Sequence, residues 1–135
     1  MSLILASTSP RRRELLALLG IPFEVKVPSF EERLVADRPS IEQVELFALG
    51  KARSVARREK DAIVLGCDTV IELDREVFGK PADLAEARAM LRRLAARDHY
   101  VHTAVALVWS GLKAEVIALS TAVDRMRRFH EGAHE

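Results

Sequence analysis

Apolar and polar residues follow one another along most of this chain with the spacing of helices and strands. Short apolar runs and alternating segments predict strands at residues 3–6, 21–27, 61–66, 70–73, 77–78, 100–109 and 113–123. Apolar residues three and four positions apart predict helices at residues 10–19, 40–58 and 83–97. Helices interleaved with strands indicate an α/β fold, a mixed twisted β-sheet flanked by helices.

The predicted helices have recognisable start signals. Ser9 is the expected N-cap of the first helix, Pro10 its first residue and Gly20 its stop. Capping-box patterns begin the other two helices at Ser40 and Asp83. The residues expected to be buried are Leu15, Leu16, Leu18 and Leu19 in the first helix, Ile41, Val44, Phe47, Ala48, Ala52 and Val55 in the second, and Leu84, Ala87, Met90, Leu91 and Leu94 in the third.

The first helix begins with an unfavourable run of arginines. Arg11, Arg12 and Arg13 stand where the helix dipole is positive, and cations there cost roughly 0.3–1 kcal/mol each. Exposed backbone N–H groups, arginines and the hydroxyls of Ser7 and Ser9 together make a strong anion site. The alternative is that the arginines are solvated or pair with acids elsewhere.

Length and charge limit the function classes. The chain has 135 residues, enough for one domain, and a net charge of +1, which gives no argument for binding a nucleic-acid polymer or a membrane. No apolar run approaches the roughly 20 residues of a membrane span. The single cysteine, Cys67, is expected to be a small buried side chain and not a nucleophile, and it fits a reducing cytoplasm.

A carboxylate follows the central apolar run. Asp68 is expected at the end of the strand at 61–66, where α/β folds place their chemistry. Lys80 follows the next hairpin, so Asp68 and Lys80 are expected to face one site. Without further context, Lys51 and the acidic pair Glu31–Glu32 are expected to be solvated charges.

Several motifs together resemble the Maf family. They are Ser7-Thr8-Ser9-Pro10-Arg11-Arg12 followed by Glu14-Leu15-Leu16, Lys51-Ala52, Cys67-Asp68-Thr69-Val70, Gly79-Lys80-Pro81, and Leu94 with His99, Val101 and Thr103. Cys67 replaces the alanine usual in the family. The resemblance implies a fold like that of the inosine-triphosphate pyrophosphatases. It also implies an enzyme that cleaves nucleoside triphosphates to the monophosphate and pyrophosphate, a house-cleaning activity on the nucleotide pool.

The resemblance also implies roles for individual residues. Arg11, Arg12 and Lys51 would hold phosphates, assisted by Ser7 and Ser9. Lys80 would stabilise charge on phosphate oxygens. Glu31 and Asp68 would bind a divalent cation (Mg²⁺, or Mn²⁺ or Co²⁺), and Asp68 would orient or deprotonate water. The family has one branch that acts on dTTP and UTP and another that acts on 7-methyl-GTP. Arg11 and Thr69 are similar to the residues of the first branch, whose substrates would include modified pyrimidine nucleotides. The resemblance also makes Thr69 a candidate for substrate binding.

The end of the chain departs from the family. Residues 1–128 are expected to form an incomplete Maf-like domain that lacks the C-terminal third, and residues 129–135 a tail without resemblance. The alternative function is therefore a catalytically impaired nucleotide-binding or interaction module, and a homodimer could cover its exposed apolar surface. His130-Glu131-Gly132-Ala133-His134 has the form of a zinc-protease motif and is interpreted as a chance match. His99 and His102 are expected to pack or hydrogen-bond rather than bind metal.

Overall fold

A mixed β-sheet with α2 packed on one face forms the body of the computed structural model, which describes residues 1–35 and 37–125. Its strands are β1 (Ser2–Ala6), β2 (Glu24–Lys26), β3 (Ala62–Leu73), β4 (Glu76–Phe78), β5 (Asp98–Trp109) and β6 (Glu115–Arg125). Its helices are α1 (Pro10–Ala17), α2 (Ser40–Ala56) and α3 (Leu84–Leu94), with a short 3₁₀ turn at Ser110–Leu112. The strand order is β2-β1-β3-β5-β6, and β4 pairs with β3. The mixed α/β sheet expected from the sequence is confirmed.

The central strand β3 is longer than predicted. Its first residues pair in parallel with β1, ending at Leu5 with Leu65. The strand then continues without a break through Asp68, and β5 pairs with it in antiparallel fashion along almost its whole length. The prediction that Asp68 ends a strand is therefore wrong, because β5 supplies hydrogen-bond partners beyond the point where β1 stops. Asp68 nevertheless lies past the carboxyl end of β1.

The hairpin after β3 has the predicted position. Leu73 pairs with Glu76 across a turn formed by Asp74 and Arg75, which both adopt positive φ. Two successive positive φ values match the twist of a tight two-residue β-turn.

The core lies between α2 and one face of the sheet. α2 contributes mainly small and branched side chains, and the sheet contributes every second residue of β1, β3 and β5. The buried members include Ile4, Ala6, Val44, Ala48, Ala52, Val55, Val64, Val70, Ala104, Ala106 and Val108. Small residues on both surfaces let the helix approach the sheet closely, and this brings the middle of α2 next to the middle of β3.

The predicted starts of the helices are only partly confirmed. Ser9 caps α1 and Asp83 caps α3, each through its side chain. The capping box at Ser40 is not formed, because Ser40 is already helical and its hydroxyl donates to Glu72 of β3. Gln43 instead accepts from Val35 N–H and donates to the Arg38 carbonyl, which fixes the chain before α2.

The buried stripes predicted for α1 and α3 are wrong for the described part of the chain. Leu15, Leu18 and Leu19 are exposed, and α1 has no buried residue. In α3 only Leu94 is buried, and Leu84 is exposed. Apolar periodicity predicts which side of a helix can be buried, but burial also needs a facing layer, and the described elements supply that layer for α2.

The ends of the predicted helices also shift. α2 ends at Ala56 and α3 at Leu94, each two or three residues earlier than predicted, while Gly20 adopts a positive φ after α1. No helix among the described residues is long and apolar enough to cross a membrane. The tail at 129–135 and the histidine motif at 130–134 lie outside the described residues.

Candidate active site

A serine-rich turn leads from β1 into α1. The Ser7 hydroxyl is buried and accepts the Ser9 N–H at 2.9 Å. The Ser9 hydroxyl accepts the Arg12 N–H at 3.3 Å. Because two side-chain hydroxyls hold this turn in succession, the first turn of α1 is fixed directly behind the carboxyl end of β1.

The arginines of α1 follow this turn directly, and the first acidic residue of the helix, Glu14, comes after them. The first turn of α1 contains no acidic residue. Within residues 1–35 and 37–125, no carboxylate forms an ion pair with Arg11, Arg12 or Arg13. Pairing with acids elsewhere therefore does not explain the arginines in the described structure, and the helix start keeps its excess of positive charge.

Lys51 of α2 reaches Asp68 of β3. Its Nζ donates to Asp68 Oδ1 at 3.1 Å and to the Cys67 carbonyl at 3.4 Å. The same amine forms an ion pair with Glu32. The close packing of α2 on β3 thus places one ammonium group between two carboxylates in a half-buried position.

Asp68 is buried and incompletely satisfied. It is 6% exposed, and its Oδ2 has no hydrogen-bond partner among the described residues. Burial raises the pKa of the Asp68 carboxyl, the positive charge of Lys51 lowers it, and the nearby Glu32 raises it further. A buried carboxylate oxygen without a partner is costly, and such atoms are frequent where a ligand or water binds.

The acidic pair divides between two environments. Glu32 approaches Lys51, whereas Glu31 is exposed and accepts from Arg33 at 3.0 Å. The structure brings Glu32, and not Glu31, to this pair, and the role predicted for Glu31 stays a prediction. The sequence showed the pair but not its orientation.

Lys80 and Thr69 lie apart from the Lys51–Asp68 contact. Lys80 is exposed and forms no ion pair with any residue in the described ranges. Thr69 points to the opposite face of β3 from Asp68, and its hydroxyl lies 3.1 Å from that of Thr103. The carboxylate of Asp68 pairs with Lys51, and no hydrogen bond or ion pair among the described residues joins it to Lys80.

The carboxylates fit a divalent cation in part. Hard cations such as Mg²⁺ prefer carboxylate oxygens. Asp68 Oδ2 has no hydrogen-bond partner among the described residues, and Glu32 lies near the Asp68 carboxyl group. No group of three or more His, Cys, Asp or Glu side chains suited to a metal occurs in residues 1–35 and 37–125. Mg²⁺ commonly binds through one or two carboxylates and completes its shell with water and phosphate oxygens, so the available residues suffice for that mode.

A second polar cluster was missed by the sequence analysis. Glu72 accepts from the Ser40 hydroxyl and contacts His102 Nε2 at 3.0 Å, and His102 Nδ1 lies 2.9 Å from the Thr121 hydroxyl. His99 Nδ1 lies 3.2 Å from the Arg97 carbonyl. The expectation that both histidines form hydrogen bonds is confirmed. The alternation of β3 already places Asp68 and Glu72 on one face, which is the signal that could have indicated the cluster.

Comparison with known proteins identifies related chains. The family model described as "Maf-like protein" matches residues 2–133. A dTTP/UTP pyrophosphatase of Symbiobacterium thermophilum is 60% identical over 107 residues, which cover 78% of this chain and 55% of that protein. A dTTP/UTP pyrophosphatase of Thermotoga maritima is 47% identical over 133 residues, covering 97% of this chain and 62% of that protein. The chain therefore spans little more than half the length of these curated relatives.

A solved structure supports the fold. The Staphylococcus aureus Ham1 protein superposes with a TM-score of 0.59 at 14% sequence identity, covering 93% of this chain and 71% of that protein. Identity at this level is evidence for a shared fold alone, which agrees with the fold that the sequence motifs implied.

Proposed function

Since the chain belongs to the Maf family, we propose that it hydrolyses nucleoside triphosphates, with dTTP and UTP preferred, to the monophosphate and pyrophosphate. Two similar proteins carry the name dTTP/UTP pyrophosphatase. The structural observation that carries the proposal is the half-buried Lys51–Asp68 pair, in which Asp68 Oδ2 has no partner within residues 1–35 and 37–125. The activity would serve the cytoplasmic nucleotide pool.

In this proposal the triphosphate binds between this pair and the turn that leads into α1. Ser7 and Asp68 both stand just past the last paired residues of β1 and β3. The turn from Ser7 to Ser9 presents the start of α1, where the partial positive charge of the N-terminus and the side chains of Arg11 and Arg12 favour an anion. Lys51 supplies a third cation close to Asp68, and Lys80 is free to turn toward a bound phosphate.

Asp68 is the residue best suited to handle water. Burial raises the pKa of its carboxyl, which makes it a stronger base than a solvated aspartate, and Oδ2 is free to accept a proton. In the proposed reaction a water oxygen forms a bond to the phosphorus atom that stays in the monophosphate, while the bond from that atom to the leaving pyrophosphate breaks. The water proton goes to Asp68 Oδ2, and Lys51 offsets charge on the phosphate oxygens.

A divalent cation would supply charge neutralisation on the triphosphate when bound. In this proposal Asp68 would be its principal protein ligand, and Glu31 would be a second one. Mg²⁺ or Mn²⁺ is the expected ion because both prefer oxygen ligands.

The proposal is tested by measuring pyrophosphate release from dTTP, UTP, 7-methyl-GTP and the common nucleotides with Mg²⁺. Asp68→Asn is expected to abolish release, because an amide cannot take the proton and binds a cation poorly. Asp61→Asn is the matched control, since Asp61 is exposed and pairs with the terminal amine of Met1.

Three results would contradict the proposal. Cleavage of 7-methyl-GTP much faster than dTTP and UTP would overturn the assigned preference. Turnover that survives in Asp68→Asn would remove Asp68 from the mechanism. Nucleotide binding without turnover in the unsubstituted chain would favour the binding module over the enzyme.

A further inference from the structure

Residues 29–35, here named the strap, cross from α2 to the end of the β3–β4 hairpin. At one end the Phe30 ring lies over Gly50, where an added Cβ would stand only 2.2 Å from Phe30 Cε1. At the other end Leu34 lies beside Gly79, where an added Cβ would stand 3.6 Å from Leu34 Cδ1. The strap is therefore packed against a glycine at each of its two ends.

Glu32 occupies the middle of the strap and faces inward. Its carboxylate forms an ion pair with the amine of Lys51. On the other side of the strap, Glu31 and Arg33 line an open crevice of about 340 Å³ along the outer face of α2. The inward position is thus specific to Glu32 and does not extend to its charged neighbours.

One ammonium group serves two carboxylates at this point. The Lys51, Asp68 and Glu32 side chains are 14%, 8% and 32% exposed. Asp68 is fixed by ladder pairing with Ala104 of β5, whereas Glu32 lies in a segment without helix or strand pairing. A third anion arriving at Lys51 would meet two negative charges, and Glu32 is the one that can move away.

We propose that Glu32 is an internal competitor for the phosphate site. In the free protein its carboxylate holds the place on Lys51 that a phosphate oxygen of the substrate takes, and binding exchanges one anion for the other and displaces the strap. This inference rests on the proposed function only in assigning phosphate binding to Lys51. Glu32 is then a positioning residue that keeps Lys51 against Asp68 until substrate arrives.

The test uses inorganic tripolyphosphate as the probe, titrated calorimetrically in the presence of a chelator so that no cation takes part. Glu32→Gln keeps the shape of the side chain and removes the competing charge. It is expected to tighten tripolyphosphate binding by about three- to tenfold, as for the loss of a half-buried ion pair. Glu42→Gln is the control, because Glu42 is exposed on α2 and pairs with Arg38.

The outcomes separate this inference from the proposed function. Lys51→Met should weaken tripolyphosphate binding strongly. Unchanged binding would remove Lys51 from the phosphate site and end this inference, whereas the proposed hydrolysis is decided by the pyrophosphate-release assay. If Lys51→Met weakens binding but Glu32→Gln leaves it unchanged or weaker, the competitor role is wrong and the phosphate site stands. If Glu42→Gln tightens tripolyphosphate binding as much as Glu32→Gln does, the gain in affinity comes from the change in net charge. That result would also overturn the role of Glu32.

Hydrogen exchange gives a second readout that does not depend on a substitution. The Val35 N–H donates to Gln43 Oε1 at 2.8 Å, and the Ser29 N–H donates to the Ser54 hydroxyl at 3.0 Å. Displacement of the strap should speed exchange at both amides when tripolyphosphate binds. Slower exchange at these amides in the complex would show a strap that closes over the anion, which contradicts the proposal.

Discussion

Gly66 of β3 lies directly against the main chain of Ala48 in α2, so that a Cβ on Gly66 would stand 2.3 Å from the Ala48 carbonyl oxygen. Lys51 follows Ala48 by one helical turn, and Asp68 is the next residue after Gly66 on the same face of β3. The missing side chain at Gly66 therefore sets the depth at which the ammonium group of Lys51 meets the carboxylate of Asp68.

Gly66→Ala should destabilise the protein by about 1–3 kcal/mol, because backbone of α2 must move away from β3. Gly79→Ala is the matched control, since its added Cβ would make an ordinary contact with Leu34 at 3.6 Å. Urea unfolding of both variants provides the measurement. A free energy of unfolding for Gly66→Ala equal to that of the control would show that the contact is easily relieved.

Asp68→Asn should stabilise the protein at neutral pH while abolishing turnover. The pKa of Asp68 is raised chiefly by burial, so the folded state binds this proton more tightly than the unfolded state. Stability from this group is full below the ordinary aspartate pKa and is lost as pH rises through the raised folded value. The unfolding free energies of the two proteins should therefore converge below about pH 4 and separate toward pH 7.

The check is a series of unfolding curves from pH 3 to pH 8 for both proteins. The opposite result would be an Asp68→Asn variant that loses free energy of unfolding relative to the starting chain as the pH rises from 4 to 7. That result would mean that the attraction of Asp68 to Lys51 outweighs the cost of burying its charge.

Glu72→Gln should destabilise the protein by about 1 kcal/mol at neutral pH, because Glu72 supplies the anion at the start of α2. The Ser40 hydroxyl, with a further contribution from His102, lowers the pKa of Glu72 below its ordinary value of 4.5. The stabilisation is therefore present above that value and is lost as pH falls through the lowered folded pKa.

Thermal unfolding at pH 7 and pH 3 measures this effect, with Glu14→Gln on exposed α1 as the control. A difference between Glu72→Gln and the starting chain that persists undiminished at pH 3 would assign the loss to packing rather than to charge.

Arg11→Ala should weaken nucleotide binding strongly without unfolding the chain. Arg11 is exposed and pairs with no carboxylate in the described ranges, so its removal costs the fold little. Equilibrium binding of a nucleotide, together with a melting curve, tests both halves. Unchanged affinity combined with a lower melting temperature would show a structural role for Arg11.

Local signals in the sequence predicted the features that depend on neighbouring residues. The cap at Ser9, the tight turn at Asp74 and the cap at Asp83 each depend on residues a few positions apart, and all three are confirmed. The lysine in α2 and the aspartate in β3 were both singled out, and their direct contact at 3.1 Å follows from packing that no short motif contains.

Features that depend on distant partners were not predictable. The Ser40 hydroxyl, expected to cap α2, instead donates to Glu72 from across the fold. The choice of Glu32 over Glu31 depends on how an irregular segment is oriented between Gly50 and Gly79. The exposure of Leu18 depends on whether another layer faces α1. In each case the deciding interaction joins residues far apart in sequence, where periodicity carries no information.

The uninterrupted ladder of β3 divides the candidate site into parts of unequal stiffness. Asp68 is bonded into the middle of the sheet, whereas Ser7, Ser9 and Lys80, which are proposed to touch phosphate, lie in a turn and in the segment after a hairpin. Substitutions in those connecting segments are therefore expected to alter the proposed phosphate contacts while Asp68 keeps its position. Related chains can therefore differ in these connecting segments and still share the position of Asp68.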